Sequence, residues 1–205
     1  MKQQFNQLSK ISLGLILLMA VLFSLGCNNN ESEDQTATDN IDNPTIENES
    51  IKAKPPEMDI HTAVVSNNIE AVKHHVLAGT DLNTKDPFGG SSPLISAALF
   101  GKTDIVKILI EGGADINFIN NDGSNALHVA AFFCRPEIVQ ILLDNGIDKT
   151  AVNKMESTAY QSVAGEFKDV KPFYDMIGQS LAPYGLILED EYLQKTRPII
   201  AEMLK

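Results

Sequence analysis

Two cysteines, Cys27 and Cys134, and four histidines are all the thiol and imidazole in this chain of 205 residues. No paired-cysteine metal site can be assembled from so few, and at most one disulfide can form. Basic residues are scarce as well. Sixteen Lys and Arg stand against 27 Asp and Glu, for a formal net charge of −11. Such a surface repels a phosphate backbone, which argues against a nucleic-acid binder and favours a partner with a basic surface. The sequence has no lysine-bearing glycine loop to cradle a phosphate and no nucleophile elbow. The stretch DPFGGSS at 86–92 has glycines and serines but no lysine. No cofactor, metal or small-molecule substrate is expected, and the chain is not expected to be an enzyme. A hydrophobic content of 43% is still enough to build a core.

The longest apolar run, Ile11 to Gly26, is short of the roughly 20 residues a bilayer-spanning helix needs. It is preceded by Lys2 and Lys10 and ends at Gly26–Cys27, the layout of a secretory signal. The order of charge, apolar run, small residue and cysteine resembles the lipobox of bacterial lipoproteins. That resemblance implies a signal peptide over 1–26 and a lipidated Cys27 as the mature N-terminus. The protein would then face the periplasm from the bacterial envelope. Asn28 after the cysteine points to the outer membrane rather than the inner. With Cys27 acylated, Cys134 has no intramolecular partner, and stability rests on packing.

From 27 to 57 the composition turns polar, and residues 28–57 carry eight Asp or Glu against two Lys and only isolated Ile as apolar bulk. Such a stretch buries too little surface to offset its ordering entropy, so it reads as a disordered acidic tether. After Glu57 a period sets in. Ala63, Ala97 and Ala130 are spaced by 34 and 33 residues, and so are Gly79, Gly113, Gly146 and Asp81, Asp115, Asp148. Each unit reads as a short apolar helix, a turn, a second amphipathic helix such as DIVKILIEGG or EIVQILLDNG, and an extended turn such as ADINFINNDG.

This period, with SPLISAALFGKTDIVKILIEGGADIN and NALHVAAFFCRPEIVQILLDNGID, is similar to the ankyrin repeat. The resemblance implies an all-α ankyrin-repeat solenoid of helix–turn–helix units joined by hairpin loops. Repeats are expected at about 58–85, 86–119, 120–152 and a degenerate 153–181, followed by a C-terminal helical cap over 182–205. One extra residue in DPFGGSSPL predicts a bulged turn in repeat two. Gly79, Gly113 and Gly146 are expected to end second helices in the left-handed conformation. His74 and His75 stand where later repeats are apolar, which suggests a wetter capping repeat. RPIIAEMLK at the C-terminus resembles RPEIVQILL around Arg135 and hints at a fifth, broken helix pair.

Ankyrin arrays bind proteins through hairpin tips and the variable ends of first helices. Matched to this sequence, those positions are Asp86, Pro87, Phe88, Leu99, Phe100, Asn121, Asp122, Phe132 and Phe133. Five of the nine are large and apolar, which suggests an interaction patch rimmed by acid. A competing reading packs Phe132 and Phe133 under the C-terminal unit. His61 and His128 occupy a place where the family uses histidine for local hydrogen bonds. Cys134 stands at a turn where other repeats have Asn67 and Gly101, so it is expected in a left-handed conformation as a partly exposed thiol. The resulting expectation is a non-enzymatic protein-binding module, similar to periplasmic ankyrin proteins that assist peroxide defence or act as immunity proteins. The alternative is a redox or enzyme-accessory protein using Cys134 or the histidines. Fatty-acid labelling tests the anchor: Cys27→Ser is expected to lose both the label and the membrane association.

Overall fold

The computed structural model describes residues 54–205. Cys27, the signal segment and the tether as far as residue 53 lie outside the described residues. Helices α1 (Ile60–Val65) and α2 (Ile69–Leu77) form the first pair, α3 (Pro93–Leu99) and α4 (Thr103–Glu111) the second, and α5 (Ala126–Phe132) and α6 (Pro136–Asp144) the third. They are followed by α7 (Ala159–Ala164), α8 (Phe167–Leu181), a short 3-10 turn (Ala182–Tyr184) and α9 (Asp190–Leu204). There is no strand among the described residues.

The period in the sequence becomes a period in local chemistry. Ser92, Asn125 and Thr158 are the N-caps of α3, α5 and α7, and each side chain accepts backbone N–H groups of its first helical turn. Asp59 does the same for α1. Between the two helices of each pair one residue takes a left-handed conformation: Asn67 at φ 57°, Gly101 at 66° and Cys134 at 54°. A cysteine there carries a backbone cost of roughly 1–2 kcal/mol that glycine avoids. Gly79, Gly113 and Gly146 take positive φ after the second helices, as expected.

The helices then stack. Inner helices α1, α3, α5 and α7 follow one another, and outer helices α2, α4 and α6 do likewise. Ala97, Ala98, Ala130 and Ala131 are fully covered, so the inner helices approach closely, while Ile105, Val106, Leu109, Ile138, Val139 and Leu142 fill the space behind them. His75 occupies the place of Leu109 and Leu142. It is buried there rather than wet, its Nε2 bonded to the Met58 carbonyl at 2.8 Å and its Nδ1 to the Thr80 hydroxyl at 3.0 Å. Only His74 is exposed.

The fourth unit departs from the sequence-based boundaries. Helix α7 packs on α5 as a first helix should, but the helix lying along α7 and continuing the outer row from α6 is α9, not α8. Its register matches the third repeat: Ile200, Ala201 and Leu204 are buried, as Ile138, Val139 and Leu142 are. RPIIAEMLK is therefore the second helix of the fourth pair. It is not part of a fifth pair, and 182–205 is not a separate cap. The segment from Glu166 to Glu189 is an insertion between the two helices. Its origin is local. At Gly165 the chain is extended, at φ −79° and ψ 170°, so it leaves the stack where other repeats turn left-handed two residues later. Leu109→Ala and Ile200→Ala should each lower stability by roughly 2–5 kcal/mol in chemical denaturation. A cap outside the repeat register would make the second loss small.

Candidate binding surface and its buried neighbours

The hairpin loops are built from the same side chains in each repeat. Asp81, Asp115 and Asp148 accept the N–H two residues ahead through Oδ1, at 2.9, 2.9 and 2.8 Å. Asn83 and Asn117 then reach across to the next repeat, accepting the Asp115 and Asp148 N–H at 2.8 and 3.0 Å. At the tips, Asn121 N–H donates to the Gly89 carbonyl and Lys154 N–H to the Asp122 carbonyl, both at 2.9 Å. Repeat two carries its extra residue here: the bond closing its turn runs from Asp86 N–H to Ser91 O, against Asn120 to Ser124 and Asn153 to Ser157. The expected bulge is present.

The nine candidate residues do not form one patch. Asp86, Pro87, Phe88, Asn121 and Asp122 lie on hairpin tips, whereas Leu99, Phe100, Phe132 and Phe133 lie at the far ends of the first helices. A seven-residue helix such as α3, about 10 Å long, separates the two groups. Asp86 is a scaffold residue. Its carboxylate accepts the N–H groups of Phe88, Gly89 and Ser91 at 2.7–2.8 Å, as Asn120 and Asn153 do in their turns. Asn121 is exposed and Asp122 half-exposed.

At the other end, Leu99 and Phe100 are half-buried, and Phe133 is only 7% exposed. Phe132 is covered by the insertion: the Tyr174 ring stacks on it at 4.7 Å and 28°, and the Tyr174 hydroxyl donates to its carbonyl. Phe132 meets Phe133 edge-on at 5.1 Å. The packing reading thus describes both phenylalanines, Phe132 lying under Tyr174 of α8 and Phe133 being buried.

Sequence reasoning passed over other tip residues. Ile119 and Val152, at matched places on successive hairpins, are 55% and 57% exposed, and Met155 is 43% exposed; Phe88, already a candidate, is 47% exposed. Together they give the hairpin edge four uncovered apolar side chains. The signal was present in the period: Lys85, Ile119 and Val152 share one repeat position, and two of the three are aliphatic where a solvated turn would be polar.

The histidines and Cys134 have structural surroundings. His128 is N3 of α5; its Nδ1 meets the Asn125 side chain at 2.7 Å and its Nε2 meets the Ser157 carbonyl at 3.0 Å, joining repeat three to the next hairpin. Burial lowers its pKa, opposed by the bond to Ser157. His61 Nε2 lies 3.3 Å from the Thr84 hydroxyl. Among the described residues no group of three or more His, Cys, Asp or Glu is placed to hold a metal ion. Cys134 is fully buried, not partly exposed, and its thiol faces the Leu193 carbonyl at 3.8 Å. Burial pushes the thiol up to about 11, although Arg197 opposes the shift. The thiolate, the form that does redox chemistry, is thus disfavoured at this site.

The raised value has a direction in stability. A folded pKa above the unfolded one means that the contribution is complete below about pH 9 and is lost as pH rises toward 11. The loss is on the order of 2 kcal/mol. Denaturation midpoints between pH 9 and 11 should fall more steeply for the native sequence than for Cys134→Ala.

Residues 60–153 match the family model for ankyrin repeats in three copies. Protein phosphatase 1 regulatory subunit 27 of Homo sapiens is 42% identical over 64 residues, which are 31% of this chain and 41% of that protein. DNA-binding protein RFXANK of Homo sapiens is 34% identical over 68 residues, 32% of this chain and 26% of that protein. The match thus spans less than half of the length of these relatives. The crystal structure of the ankyrin repeat domain of Bcl-3 aligns at a TM-score of 0.49 with 30% identity, covering 50% of this chain and 45% of that one. The likeness to ankyrin repeats thus covers residues 60–153, and the fourth helix pair stacked on them lies beyond the matched span.

Proposed function

We propose that this protein is a non-enzymatic binding module, tethered in the bacterial envelope through lipidated Cys27, that holds or inhibits a protein partner. Ankyrin repeats, and relatives named as a regulatory subunit and a DNA-binding protein, support a binding role over a catalytic one. The observation that carries the reading is the row of exposed apolar side chains on successive hairpin tips, Phe88, Ile119, Val152 and Met155. Apolar groups held outward on a hydrogen-bonded edge are exposed at a cost in water that a partner removes. Asn121 and Asp122 stand beside them, and the acidic chain favours a basic partner surface. The acidic segment before residue 58 serves as the spacer from an outer-membrane anchor.

Crosslinking in intact cells followed by purification identifies the partner. With it in hand, Phe88→Ala and Ile119→Ala together should weaken binding about tenfold or more, mainly through faster dissociation. Asp122→Asn should slow association, and its effect should fade at high salt. Phe132→Ala should instead lower stability. A folded Phe88→Ala, Ile119→Ala chain with undiminished affinity would remove the hairpin edge from the site.

A further inference from the structure

The last inner helix leaves one face uncovered. Leu127, His128 and Ala131 of α5 are buried, but their counterparts on α7 are less covered: Tyr160 is half-buried, and Gln161 and Ala164 are exposed. Among the described residues no further repeat stacks there. The open slot is a groove of about 530 Å³ between α7, the start of α8 and α9, with Tyr160, Phe167 and Pro198 among its apolar walls.

A buried cation also lines the groove. Arg197 lines it while being only 2% exposed. Its guanidinium donates to the Tyr174 hydroxyl at 3.0 Å and to the Gly165 carbonyl at 3.2 Å, and its Nε–H has no acceptor. Among the described residues no carboxylate pairs with it, although a buried cation normally has a counter-ion. Lys168 and Lys205 also line the groove, paired with the exposed Glu166 and Glu202. Pairs as exposed as these contribute little and exchange readily for an incoming carboxylate. With both lysines paired, Arg197 is the one cation of the groove lining that has no carboxylate partner among the described residues, in a chain that carries −11 overall.

We propose that this groove binds an acidic peptide segment, its carboxylate set beside Arg197 and its apolar neighbours against Tyr160 and Phe167. The site is distinct from the hairpin edge and prefers the opposite charge, so the failure of either leaves the other standing. Arg197 also holds Tyr174 and the end of α7, and replacing it would confuse binding with folding. Ala164 is exposed and lines the groove, so Ala164→Glu adds a competing carboxylate at little cost to the fold.

The probe is a fluorescein-labelled peptide of alternating leucine and aspartate with a free C-terminus, titrated with the full chain and followed by anisotropy. A leucine–asparagine peptide amide is the control. The aspartate peptide should bind at least about tenfold more tightly than the control, and Ala164→Glu should weaken it about tenfold without changing thermal unfolding. Glu202→Gln, which frees Lys205, should tighten it. Equal binding of the two peptides, binding of neither at millimolar concentration, or an Ala164→Glu chain that binds as the native one does would overturn the proposal.

Discussion

Everything in this fold depends on one constraint: a helix pair of this size cannot bury its own apolar stripe. Leu109 and Leu142 are completely covered only because each lies between neighbouring repeats. Stability is then a sum of repeat-to-repeat interfaces, and any pair at an end has one side unpaid by contact. His75 shows how the first repeat meets that problem. Where inner repeats use leucine, it uses a ring that also bonds the Met58 carbonyl, tying the chain just ahead of α1 to α2. The far end is met differently, with α9 closing the fourth pair and a groove left beyond it.

The insertion follows from that arrangement and in turn reshapes the surface. A left-handed residue folds the chain back at Asn67, Gly101 and Cys134; Gly165 is extended, and the chain departs into α8 before returning as α9. Helix α8 has one fully buried residue, Tyr174, which touches Phe132 by stacking and hydrogen bonding and meets Arg197 of α9 through its hydroxyl. A single tyrosine thus joins the third repeat, the insertion and the closing helix. It also covers Phe132, which leaves the hairpin edge as the more open apolar surface.

Most of the stack was legible in the sequence, because period, cap and turn chemistry repeat together. Ala97 and Ala130, Asp115 and Asp148, and Gly113 and Gly146 each stand for a position whose physical demand is local. The positive φ of Cys134 was readable for the same reason: Asn67 and Gly101 share its place. What was not legible depends on distant contact. RPIIAEMLK carries the motif of a second helix, but only the packing of α9 on α7 and α6 shows which first helix it completes. The burial of Cys134 comes from α9, 59 residues later, through the contact with Leu193. The candidate surface was divided for a similar reason, since helix length decides that Phe88 and Phe100 sit at opposite ends of a repeat.

The central claim is that α9 belongs to the repeat stack as the outer helix of its fourth pair, with α8 inserted between α7 and α9. Native-state hydrogen exchange tests it most directly, since amides that open together share one opening free energy. The account predicts that amides of Arg197 to Leu204 are protected together with those of α7 and α5, while most amides of α8 exchange earlier. Exchange of α9 along with α8, ahead of an intact α5–α7 pair, would contradict it and make the array end at its third repeat.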